Sequence, residues 1–143
     1  MRRERLILPL VLATTVLASP GAAVEARPGD QYVPLGDSFT AGPLIPTQIA
    51  PLGCLKSNRN YPTVVDGTLG SSAFRDISCS GATTDDMFAP QSIVGGSNPA
   101  QLSALSASTT LVTLGIGAND IGFTEIIQHC STLNPFATPC RNR

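Results

Sequence analysis

Three short strand-like segments, each running into a turn, govern what this chain can fold into. Tyr32-Val33-Pro34-Leu35 leads into Gly36-Asp37-Ser38, and Phe74-Arg75-Asp76-Ile77-Ser78 into Cys79-Ser80-Gly81. Thr110-Leu111-Val112-Thr113-Leu114-Gly115 leads into Gly117-Ala118-Asn119-Asp120. Between them lie segments with helical signals. Tyr61–Leu69 has Asn60 as a cap, Pro62 in its first turn and Gly70 as a stop. Thr83–Phe88 has acidic residues near its start, Pro99–Leu105 opens with proline, and Ile121–Gln128 follows Asn119-Asp120 as its cap. Strand and helix alternate three times, which predicts an α/β fold with a parallel sheet and helices on its faces. Folds of this kind place their chemistry beyond the carboxyl ends of the strands. Ser38, Gly81 and Asn119 all sit at such ends.

The segments 42–60 and 90–99 read as loops, the first tied down by Cys54. Pro34 is the weak point of the first strand, because proline donates no hydrogen bond to a sheet ladder.

The first 26 residues read differently. Arg2, Arg3 and Arg5 precede an apolar run from Leu6 to Ala18, and small residues follow to Ala26. That order is a secretory signal peptide, with cleavage after Ala23 or Ala26. The run falls short of the roughly 20 residues needed to span a bilayer, so no stable membrane span is expected. Residues 27–143 form the expected domain, a partial one, outside the cell. Nine Lys and Arg against ten Asp and Glu give a net charge of −1 without a basic stripe, so nucleic acid is not an expected partner. Four cysteines, Cys54, Cys79, Cys130 and Cys140, argue for two disulfides in an exported chain. Of three possible pairings, Cys54–Cys79 with Cys130–Cys140 crosses no loop and is the expected one. The alternative, a four-thiolate metal site, lacks the Cys-x-x-Cys spacing such sites use.

Ser38 follows a strand and a Gly-Asp turn and opens a helix, where backbone N–H groups favour developing negative charge. A serine there is either a nucleophile or a helix cap. Gly81 either supplies a positive φ or brings its N–H against a substrate. Asn119 either caps a helix or donates its amide to an oxyanion. A dinucleotide loop is excluded, because Asp120 stands where Gly-x-Gly-x-x-Gly needs its last glycine. No Gly-x-Ser-x-Gly elbow occurs either.

Gly36-Asp37-Ser38-Phe39-Thr40-Ala41-Gly42, Cys79-Ser80-Gly81-Ala82-Thr83 and Gly117-Ala118-Asn119-Asp120 resemble, in order, the first three blocks of the SGNH (GDSL-like) hydrolases. The likeness covers about residues 32–130, and Gln101 to Phe123 is similar to secreted bacterial lipases and esterases of that group. It implies a flavodoxin-like three-layer sandwich around a parallel sheet, here with the C-terminal part missing. It also implies hydrolysis of acyl esters or lipids with no cofactor or metal. Ser38 would be the nucleophile, and the N–H groups of Ser38 and Gly81 and the amide of Asn119 would hold the oxyanion. A pairing like Cys54–Cys79 is similar to that of the secreted members. Asp37 and Asp120 are read as turn and cap residues.

The family's last block is Asp-x-x-His, which supplies the general base. These 143 residues hold no such block, and their one histidine is His129. It lies ten residues past Asn119 on an expected helix, roughly 15 Å along the axis. A base must come within about 3 Å of the serine oxygen. His129 is therefore expected to be a helix-end residue. The expectation is a chain that stops before the base. The alternative function is a non-catalytic fragment or binding remnant that keeps the oxyanion pocket.

Overall fold

The computed structural model describes residues 29–131. The expected signal peptide and Cys140 lie outside the described residues. Strand β1 (Gln31–Gly36) occupies the middle of a three-stranded parallel sheet, between β4 (Ala73–Phe74) and β7 (Leu111–Gly115). The β1–β7 register runs unbroken from Tyr32↔Leu111 to Gly36↔Gly115. Among the described residues two small antiparallel pairs complete the strands: β2 (Gln48–Ile49) with β3 (Lys56–Ser57), and β5 (Gln91–Ile93) with β6 (Gly96–Asn98). The helices are α1 (Ser38–Ala41), α2 (Tyr61–Leu69) and α3 (Phe123–Cys130).

Period-two alternation along β1 sends side chains to both faces of the sheet. Val33 and Leu35 meet Ile77, Ala104 and Leu105 on one face, the last two from the 3₁₀ turn Gln101–Ala104 and its end. On the other face Tyr32 reaches Thr113 through its hydroxyl at 2.8 Å, and Tyr61 of α2 meets the same threonine at 3.2 Å. Helical turns thus flank both faces, and the α/β fold with a parallel sheet is the one expected. Helix α2 has the bounds read from the sequence. Asn60 Oδ1 caps it by accepting the Thr63 N–H at 3.1 Å, and Gly70, at φ +60°, ends it.

The second strand is shorter than Phe74–Ser78, and the reason lies in β1. Arg75, Ile77 and Cys79 donate their N–H groups to the carbonyls of Tyr32, Pro34 and Gly36 at 3.0, 3.2 and 3.0 Å. A regular parallel ladder would answer through the N–H groups of Pro34 and Gly36. Pro34 has none, and Gly36 gives its own to Gln101 Oε1 at 2.7 Å. Only half of the ladder survives past Phe74. The other β1 edge is untouched, because the Pro34 nitrogen faces away from β7.

Two further expectations are corrected. Residues 90–99 are not an irregular loop: they form the β5–β6 hairpin, which turns through Val94-Gly95. The last helix begins at Phe123 rather than Ile121, and its cap is Gly122 in the left-handed region at φ +69°. Asn119 and Asp120 do not cap it. Among the described residues no helix is long and apolar enough to cross a membrane.

Candidate active site

Ser38 stands at the carboxyl end of the central strand. The N–H of Asp37 donates to Gly115 O at 2.9 Å, so the turn after β1 is welded to the end of β7. The Asp37 carboxylate is buried and accepts the Phe39 N–H at 3.0 Å, which caps α1. That cap, not Ser38, starts the helix, so the Ser38 hydroxyl is not consumed as a cap. Ser38 is part-exposed, and neither its hydroxyl nor its N–H has a hydrogen-bond partner among the described residues.

Gly36 is held from both sides. Gln101, fully buried, accepts the Gly36 N–H and donates Nε2 to the Gly36 carbonyl at 3.0 Å. Nothing local in the sequence marks this glutamine for that role.

Gly81 lies in the turn that follows the half-ladder, at φ +81°. The turn is anchored along its length. Cys79 is joined to Cys54 by a disulfide. The Ser80 N–H donates to Cys54 O at 2.9 Å, and the Ala82 N–H donates to Cys79 O at 3.2 Å. Cys130 is also disulfide-bonded.

Asn119 donates Nδ2 to Ala82 O at 2.7 Å. A carboxamide nitrogen carries two protons. One is fixed on Ala82, which sets the plane of the amide and leaves the second for another acceptor. The neighbouring Asp120 accepts the Thr84 N–H at 3.0 Å and the Thr84 hydroxyl. These bonds hold the Asp120 carboxyl below the usual carboxylate range, the hydroxyl contributing most. The loop after β7 is thereby tied to the loop after Cys79. Thr83 closes the next turn, its N–H and hydroxyl donating to Asp86 Oδ2 at 2.8 and 2.9 Å.

The structure therefore brings all three loops to the carboxyl end of the sheet. An apolar rim adjoins it: Phe39, next to Ser38, is largely exposed and its ring lies 6.1 Å from that of Phe123. His129 falls in the last turn of α3, six residues beyond Phe123.

A second polar cluster joins β3, the cap of α2 and the segment after β4. The Lys56 ammonium donates to Asp76 O and lies 3.9 Å from the Asp76 carboxylate, and Asn60 Nδ2 donates to the same carboxylate at 2.7 Å. Burial pushes the Lys56 ammonium below its usual range, and the Asp76 charge partly restores it.

A lipase of Streptomyces coelicolor, "Lipase 2", is 39% identical over 140 residues, which cover 94% of this chain and 46% of that protein. The crystal structure of phospholipase A1 from Streptomyces albidoflavus superposes with a TM-score of 0.60 at 30% identity, over 71% of this chain and 39% of that one. An extracellular lipase from Streptomyces rimosus gives the same TM-score and identity, over 74% and 42%. The chain thus spans about half the length of the curated relatives it matches. Residues 35–134, from the end of β1 past α3, match the sequence profile of the GDSL-like lipase/acylhydrolase family, and the chain belongs to that family.

Proposed function

We propose that this chain carries the nucleophile and oxyanion side of a secreted carboxylic-ester hydrolase. Ser38 Oγ attacks the acyl carbon. The N–H groups of Ser38 and Gly81 and the free amide proton of Asn119 receive the oxygen that becomes negative. Fixed donors of this kind are worth about 3–4 kcal/mol each in the transition state. The observation that carries the reading is a pair of backbone N–H groups without acceptors among the described residues, Gly81 on the loop that the Asn119 carboxamide ties through Ala82 O and Ser38 on the turn that the Asp37 N–H ties to Gly115 O. The exposed rings of Phe39 and Phe123 suit the acyl part of an ester or lipid.

A specific observation favours a second reading. The Ser38 hydroxyl meets no base among the described residues, and the chain's one histidine closes α3. An unassisted serine is a poor nucleophile. In this reading the chain binds an ester and its oxyanion without turning it over. Hydrolysis of a 4-nitrophenyl ester by the purified chain, with Ser38→Ala as control, separates the two. Turnover that vanishes in the variant supports the hydrolase. A Ser38-dependent boronate adduct without turnover supports the binder. Turnover that persists in Ser38→Ala overturns the role given to Ser38.

A further inference from the structure

In segment 79–82 every backbone N–H but one has an acceptor among the described residues. The Cys79 N–H meets Gly36 O, the Ser80 N–H meets Cys54 O, and the Ala82 N–H meets Cys79 O. The Ala82 carbonyl accepts from Asn119. The Ser80 carbonyl accepts Gln91 Nε2 at 2.9 Å. The Gly81 N–H alone donates to nothing among the described residues.

The Ser80 carbonyl and the Gly81 N–H belong to one peptide unit. A trans peptide is planar, and its C=O and N–H point in opposite directions. Whatever holds the Ser80 carbonyl therefore aims the Gly81 N–H. Gly81 itself fixes little, since glycine occupies positive φ freely and its flanking peptides rotate at small steric cost. Gln91 is suited to the task. It is nine-tenths buried at the start of β5. Its pair partner across the hairpin, Asn98, is buried too and donates Nδ2 to Ile77 O at 3.1 Å. The first rung of the hairpin thus grips the Cys79 segment at two carbonyls, on the edge where no further strand is paired among the described residues. The carbonyl acceptor also fixes which end of the Gln91 amide faces Ser80.

We propose that Gln91 is a positioning residue for the oxyanion site: by holding the Ser80 carbonyl it turns the Gly81 N–H toward the acceptor. This rests on the oxyanion reading above and adds a residue to it. Gln91 touches no reacting atom. Removing it lets the Ser80–Gly81 peptide rotate and withdraws one donor while the fold remains.

The test uses phenylboronic acid, whose tetrahedral serine adduct mimics the oxyanion, on the full chain, Gln91→Met, Gln91→Leu and Ser38→Ala. The expected result is a Ser38-dependent adduct whose affinity falls about tenfold or more in the two Gln91 variants, as misaiming one oxyanion donor requires. The Gly81 amide proton shifts downfield on adduct formation in the unchanged chain and fails to do so in the variants. A merely structural role would move the melting temperature and leave that shift in place. Gln91 variants that bind as the unchanged chain does, with the same Gly81 shift, overturn the proposal while the oxyanion reading stands. An unchanged chain that forms no Ser38-dependent adduct overturns the oxyanion reading and this proposal with it. Should both variants unfold, the unchanged chain still decides. A through-bond coupling from Gln91 Nε2 to the Ser80 carbonyl carbon is expected, and its absence overturns the assignment.

Discussion

The carboxylate of Asp120 accepts both the N–H and the hydroxyl of Thr84, 36 positions earlier in the chain. Together with the bond from Asn119 to Ala82 it clamps the loop after β7 to the loop that carries Gly81. The clamp is ionic on one side only, and so it responds to pH.

The Thr84 bonds lower the Asp120 pKa in the folded chain. A carboxyl whose folded pKa is depressed adds stability above its unfolded value, near 3.9, and loses it as pH falls through the folded value. The melting temperature of the wild type should therefore fall more steeply below about pH 4 than that of Asp120→Asn. Asp120 is exposed, so the difference is small. Parallel pH profiles for the two proteins would remove the clamp's electrostatic share.

Gln101→Ala should be among the most destabilising single changes. It opens a cavity where the side chain is fully buried and strands the Gly36 N–H, whose acceptor is Gln101 Oε1. The Gly36 carbonyl keeps Cys79 as a donor. We expect a loss of about 2–4 kcal/mol in urea unfolding. A loss below about 0.5 kcal/mol would mean that water replaces the glutamine freely.

At Gly36 no side chain fits. A Cβ there would collide with Thr40 Oγ1 and with the Gly115 carbonyl, a backbone atom that cannot yield without breaking the bond from Asp37. Gly36→Ala should cost about 3 kcal/mol or more and displace Ser38. Circular dichroism melting and boronate affinity should both register it.

The Cys54–Cys79 bond closes a loop of sequence separation 25. In the chain-entropy account a cross-link of that span contributes about 3 kcal/mol. Cys54→Ala with Cys79→Ala should lower the urea midpoint accordingly, and loosen Ser80, whose N–H bonds Cys54 O. Midpoints within error of each other would contradict this.

The readable parts of the fold were those with local causes. Helix α2 carries its own cap, first-turn proline and terminating glycine, and it lies where Asn60, Pro62 and Gly70 put it. The strands around Val33 and Val112 follow from β-branched and apolar residues next to glycine. Asn119 and Asp120 are expected to cap the last helix, Asn119 with oxyanion donation as its alternative, because caps are what such residues usually are after a strand. Here their partners, Ala82 and Thr84, are 37 and 36 positions away. Neither Gln91 nor Gln101 takes a role from the sequence, since a lone glutamine has no local pattern.

Composition and order alone determined the alternation of strands and turns, the helix stops, and the placing of Ser38, Gly81 and Asn119 beyond strand ends, because those depend on neighbours in the chain. Tertiary structure decided which acceptor each buried amide meets. The partners lie far apart in sequence, 65 positions for Gly36 and Gln101, and hydrogen-bond direction is fixed only once the loops have packed.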